Sequence, residues 1–297
     1  MNYSEKRSFL IYLLVTFAVA WSVQILASTI GRAVYQLLLV LCMYAPFLGV
    51  LVAKKGLSTA KTGIGWKLSI RKNWKLFLFA WFFPIIITFL GACLYFLCFP
   101  DEYDSSFGFL TTAYHAMLDT DGTIQGITMS QLVRISILQA ITYAPLINTL
   151  AALGEEVGWR GYMTPVLTSW FGEQTAWIIS GVIWGLWHAP LIVLIGYEYG
   201  IGYFGAPISG VVLFCFITTA LGIILSFLYH RSNSIWVPAL LHGAFNAAAT
   251  LPMCFTTGQN TGYLLGPAPN GLLAGIPLMA VAVVIWMYCR HRSQSSF

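Results

Sequence analysis

A chain of 297 residues that is 58% hydrophobic and only 8% charged is not an ordinary soluble domain, where about a quarter of the residues carry charge. That much apolar side chain needs lipid as its main solvent, and the length leaves little room for a separate soluble unit beside roughly eight spans. The net charge of +5 gives no reason to expect a nucleic-acid partner, because the position of the basic residues along the chain accounts for it.

Runs of about twenty mainly apolar residues are expected to span at 9–30, 33–53, 76–99, 131–153, 174–196, 208–229, 235–254 and 271–289. The first follows Lys6 and Arg7 and contains the small-x-small sequence Ala18-Val19-Ala20. Its apolar character continues through Trp21 to Ile30, so it reads as an uncleaved helix rather than a signal peptide. The segment 54–75 is basic and carries Trp66 and Trp74, which suits anionic headgroups. The loop at 100–130 has room for a short interfacial or re-entrant piece, and Pro145 is expected to kink the fourth span. Six cysteines, at 42, 93, 98, 215, 254 and 289, lie in or beside apolar runs without a CxxC pair and read as packing residues.

The expected fold class is therefore all-α, a multi-pass transmembrane bundle of about eight helices forming one membrane domain over 1–297, its catalytic core at about 131–254. With the N-terminus inside, Lys6, Arg7, Lys54, Lys55, Lys61, Lys67, Arg71, Lys72, Lys75, Arg160, Arg231, Arg290 and Arg292 fall on the cytoplasmic side. Only Arg32 and Arg134 fall outside, so thirteen of the fifteen basic residues obey the positive-inside rule with both termini cytoplasmic. The same count gathers Asp101, Glu102, Asp104, Asp119 and Asp121 in one outside loop.

Polar residues inside the spans are the candidates for chemistry, since a charge at mid-membrane costs about 2.5–3.5 kcal/mol on insertion scales. Glu155 and Glu156 are adjacent; Glu156 and Arg160 are four apart and share a helix face, while Glu155 is turned about 100° away. Taken alone, the pair also reads as a helix leaving the membrane beside Arg160. His188 follows Trp184-Gly185-Leu186-Trp187, and His242 and Asn246 share a face four residues apart. Each of these alone could be packing or interhelical glue. Together they are nearly all the strongly polar groups in the second half's spans, and clustered intramembrane ionisable groups point to function. A carboxylate beside a histidine can activate water, and a second histidine with an amide can donate to an oxyanion. The same side chains could hold zinc, although HExxH is absent.

The ordered set Glu155-Glu156-x-x-x-Arg160, an aromatic four before His188, and His242-x-x-x-Asn246 resembles the CAAX prenyl endopeptidase and bacteriocin-processing (CPBP, or Abi) family of intramembrane glutamic peptidases. Flanking sequences agree in 158–162, 184–190 and 234–239, with Trp184 where the family most often has phenylalanine. The resemblance implies eight helices and a catalytic cavity open to the cytoplasm. It further implies that Glu155 and His188 activate water, that His242 and Asn246 hold the oxyanion, and that Glu156 and Arg160 support the site. No cofactor is expected, with zinc the alternative. The expected partners are lipid and a peptide or protein substrate, either a peptide precursor or a CAAX-like C-terminus. Outside enzymes, the competing reading is a non-catalytic membrane protein such as a bacteriocin self-immunity factor or a partner chaperone. A transporter fits less well, for lack of repeat symmetry. The compact chain suggests a bacterial inner membrane. Gly181-x-x-x-Gly185 permits close helix approach without setting an oligomeric state.

Overall fold

The computed structural model describes residues 3–30, 32–55, 63–259 and 262–294, with backbone alone at 32–33 and 292–294. Lys61 lies outside the described residues, as do the side chains of Arg32 and Arg292. The fold is helical. Helix α1 (Tyr3–Thr29) is followed by α2 (Arg32–Cys42), α3 (Ala45–Ala53) and α4 (Ile70–Cys98). A short α5 (Gly108–Ala113) precedes α6 (Met129–Ile141), α7 (Ala144–Gly158), a π-turn at Trp159–Met163 and α8 (Thr164–Phe171). Then come α9 (Glu173–Trp187), α10 (Ala189–Ile195), α11 (Ile208–Ser232), α12 (Trp236–Ala248) and α13 (Ile276–Gln294).

Each expected span meets a helix or a broken helix, but not all are built to face lipid. Among the described residues five helical stretches are long and apolar enough to cross a membrane, and a sixth if α6 and the helix 144–171 count as one span bent by 60°. The bend falls at 142–143 and Pro145 sits in the first turn of α7, where its missing N–H breaks no helical bond. The run at 235–254 is a helix of only 13 residues, with ten of them buried. Its apolarity comes from burial inside the protein rather than from contact with lipid. The last apolar helix, Ile276–His291, is also short.

The fourth span ends later than expected. Past Gly158 the chain continues through the π-turn into α8, and Pro165 again occupies a helix's first turn. Glu155, Glu156 and Arg160 are therefore midway along a long helix and fully inside the protein, not at a helix end leaving the membrane. This also removes Arg160 from the cytoplasmic count, leaving eleven of the thirteen other basic residues among the described ones on one side.

Chain direction alternates cleanly. Both termini, the segment 63–69 and the turns at 172 and 233–235 meet at one end of the bundle, where Ile235 N–H donates to Gly65 O (3.0 Å) and Trp236 Nε1 to Trp66 O (2.9 Å). Trp66 is thus tied to the protein, while Trp74 is exposed, as a headgroup contact requires. The loops 99–128, 196–207 and 249–275 share the other end. There Asp104 N–H donates to Phe255 O (2.8 Å), and Leu110, Met129, Val133 and Cys254 form a small core. That small core holds the 100–130 loop down, with α5 and two single 3₁₀ turns inside it.

Glycines let the helices touch. A Cβ on Gly181 or Gly185 would lie 2.4 Å from Thr219 Cα or 2.6 Å from Cys215 Cα, so that pair serves contact between α9 and α11. No disulfide joins any of the six cysteines. Helix α1 belongs to the bundle core, with Tyr12 and Gln24 fully buried.

Candidate active site

Two features place the carboxylates. Gly154 and Gly158 bring α3 against α7, with Met43 O 2.6 Å and Pro46 Cβ 2.3 Å from where a Cβ would stand. On the other side Gly243 lets α12 approach the α7 backbone, a Cβ there falling 2.5 Å from Thr149 N. The π-turn follows at once. It adds one residue to a turn, a device common at functional sites, and Trp159 and Arg160 both point inward.

The two glutamates face different surroundings. Glu156 is 0% exposed, and its Oε1 accepts from Arg160 Nη1 at 2.9 Å and from His242 Nδ1 at 2.8 Å. Glu155 is 2% exposed and lines a cavity of about 460 Å³ together with His188, His242 and Asn246. Its Oε2 accepts from two indoles, Trp184 Nε1 at 2.7 Å and Trp159 Nε1 at 3.1 Å. In the sequence Trp184 counts only as the motif aromatic four before His188 and Trp159 only as a flanking residue, neither with a role in the site, because an aromatic in an apolar run reads as packing. The four-residue spacings from Glu155 to Trp159 and from Trp184 to His188 were the available signals.

Trp184 also organises its neighbours. The Arg160 guanidinium lies 4.5 Å over its ring, and the His242 ring packs edge-on at 5.2 Å. Its carbonyl is 2.9 Å from His188 Nδ1. A carbonyl only accepts, so Nδ1 carries the proton there and Nε2 is left for the cavity. His188 itself sits at the break between α9 and α10, ahead of Pro190. Gln24 Nε2 donates to Trp187 O at 3.0 Å and fixes the same turn from α1. Asn246 is exposed on the cavity side of α12, one turn beyond His242.

All six expected residues thus converge, four on the cavity and Glu156 with Arg160 beneath it. No hydrogen bond joins Glu155 to His188 among the described residues. Nor do three His, Cys, Asp or Glu side chains group there in a way that could hold a metal ion.

The mouth is marked by the exposed lining residues Gln36 and Val40 of α2 and Asn246 and Thr250 at the end of α12. They belong to the end of the bundle with the acidic loops, opposite the termini and the basic residues. The two expectations, cytoplasmic termini and a cavity open to the cytoplasm, therefore exclude each other in this chain. Glu198 and Asn270, from two loops at that end, line the same cavity; neither was a candidate in the sequence.

Residues 137–248, which hold the whole constellation, match the family model described as type II CAAX prenyl endopeptidase Rce1-like. A curated relative, CAAX prenyl protease 2 of Methanococcus maripaludis, is 34% identical over 93 residues. That match covers 27% of this chain and 34% of the relative, so the chain spans about a third of that protein's length in the alignment.

Proposed function

We propose that this multi-pass membrane protein is an intramembrane glutamic endopeptidase of the CAAX prenyl endopeptidase (CPBP) family, the reading supported by the match of residues 137–248 to the Rce1-like model. The observation that carries the reading is the division of labour in the acidic pair: Glu156 is spent on Arg160 and His242, while Glu155 faces the cavity.

The chemistry follows from the donors. Two indole N–H groups hold Oε2 of Glu155, leaving Oε1 to take a proton from a water lying between it and His188 Nε2. The oxygen of that water attacks the peptide carbonyl carbon. The resulting oxyanion accepts from the Asn246 amide and from His242 Nε2–H. For His242 to donate from Nε2 while Nδ1–H donates to Glu156, the ring must be an imidazolium, and Glu156 is its counter-charge. Collapse of the intermediate breaks the C–N bond, and the proton held by Glu155 passes to the leaving amine. In that arrangement the charges of the two carboxylates, the guanidinium and the imidazolium sum to zero, which suits their burial. No step requires a metal, and zinc is the competing arrangement. Activity that survives exhaustive chelation supports the glutamate route; loss restored by zinc rules it out.

The substrate class is a peptide precursor or a CAAX-like C-terminus entering from the membrane. We place the basic end in the cytoplasm of a bacterial inner membrane. The decisive comparison is of short peptides released by native-host membranes carrying wild type or Glu155→Gln at equal expression. Products present only with wild type support hydrolysis. Identical profiles with a wild-type phenotype would move the assignment to a non-catalytic immunity or partner-binding role.

A further inference from the structure

The cavity has a second carboxylate. Glu198 lies in the loop between α10 and α11, half-buried on the lining, and is not part of the six-residue constellation. Its Oε2 accepts from Asn270 Nδ2 at 2.7 Å, and Tyr197 also hydrogen-bonds to its side chain. The support is firm. Asn270 is buried, and its carbonyl accepts from Tyr199 OH at 2.9 Å. Tyr263 N–H donates to Tyr199 O at 2.8 Å, and Gly200 pairs with Gly262, clamping the two loops together. Glu198 itself has φ +66°, a left-handed conformation that a non-glycine residue adopts only where its surroundings impose it.

A carboxylate held this way in a largely apolar cavity is stabilised in its charged form by a cation. Among the described residues no lysine or arginine lines the cavity, and Glu198 takes part in no ion pair. Asp101, Glu102, Asp104, Asp119 and Asp121 outnumber Arg32 and Arg134 at the same end of the bundle, so the field at the mouth draws positive charge. We propose that Glu198, braced by Asn270, is a specificity subsite that binds a basic side chain, lysine or arginine, of the peptide being cleaved at Glu155.

This rests on the endopeptidase reading, and the test separates the two. Purified full-length protein is offered a pair of membrane-embedded peptides that differ only by lysine against its neutral isostere norleucine. The position to vary comes from the cut sites of a randomised peptide library. Wild type should prefer the lysine peptide in kcat/KM by roughly ten- to a hundredfold, the range of one charge-assisted hydrogen bond. The preference should fall towards unity in Glu198→Gln, through KM, and return in part in Glu198→Asp. Equal cleavage of both peptides by wild type overturns the subsite even if no Glu198 variant can be purified folded, and so does a preference that persists in Glu198→Gln. If wild type and Glu155→Gln release the same products, hydrolysis itself is disproved and the subsite with it.

Discussion

Trp184 donates its indole N–H to Oε2 of Glu155 at 2.7 Å, while its carbonyl orients His188 and its ring receives Arg160 and His242. One side chain therefore touches, or positions through its backbone, four of the six site residues. Phenylalanine, the usual residue here in the resembling family, keeps the ring and loses the donor. Trp184→Phe should lower kcat by roughly ten- to a hundredfold, the range of one hydrogen bond to a charged group, with little change in thermal midpoint. Trp184→Ala removes the packing as well and should destabilise the fold by about 3–5 kcal/mol. A turnover assay beside a melting curve of the detergent-solubilised protein distinguishes the two.

The two glutamates should respond differently. Glu155→Gln keeps shape and the indole contacts, so the protein should fold normally and release no product. Removing one partner of the buried set Glu156, Arg160 and His242 leaves a charge unpaired, which typically costs about 3–5 kcal/mol. Arg160→Met should accordingly melt early and accumulate poorly. Equal stability of the two variants would contradict the assignment of Glu156 as the structural member.

Helix contact at Gly243 is a steric requirement. An added methyl would meet the α7 backbone at Thr149 N and Asn148 C, neither of which is the end of a flexible side chain. Gly243→Ala should push α12 off α7 and lengthen the His242 to Glu156 contact. An overpacking cost of about 1–3 kcal/mol and a loss of activity larger than that predicts are expected. Melting and turnover measured together check this.

Asp104 caps α5, its Oδ2 accepting from Gly108 N–H at 2.7 Å and its Oδ1 from Ser106. The Ser106 hydrogen bonds hold this partly exposed carboxyl below the usual aspartate range. The cap therefore contributes above the unfolded value of about 4 and is lost as pH falls through the lower folded value. Hydrogen exchange at Gly108 should quicken on acidification relative to its intrinsic rate, and should be quick at all pH in Asp104→Ala.

The mouth and the basic rim should label from opposite sides. An impermeant maleimide applied to intact cells should reach Gln36→Cys and Thr250→Cys in a cysteine-free background, and not Lys67→Cys. The reverse pattern would mean that the chain inserts against its charge distribution and that the cavity faces the cytoplasm.

Much of this was legible in the sequence. Apolar runs located the helices because lipid and protein interior select the same side chains. For the same reason they could not show that α12 is enclosed by protein. The acidic pair, both histidines and Asn246 stood out because polar groups are scarce in the spans. The continuation beyond Gly158 was hidden by Arg160, Gly161 and Pro165, residues that usually punctuate a helix. A π-turn and a first-turn proline absorb them here. Glu198 and Asn270 are 72 residues apart in loops, where polar residues ordinarily face solvent, so nothing local joined them.

The contact between His242 and Glu156 closes 86 residues of chain. During synthesis, the helix with both glutamates and Arg160 leaves the ribosome well before α12 exists. Until α12 arrives, the acidic pair carries one charge more than its guanidinium can neutralise, in a helix bound for lipid. Lodging that charge in lipid would force a proton onto a carboxylate, so the helix should stay in a polar surrounding, such as the insertion machinery, until nearly the whole chain has been made. A nascent chain arrested near residue 233 should remain crosslinkable to that machinery, while one extended past residue 250 should be released into the bilayer.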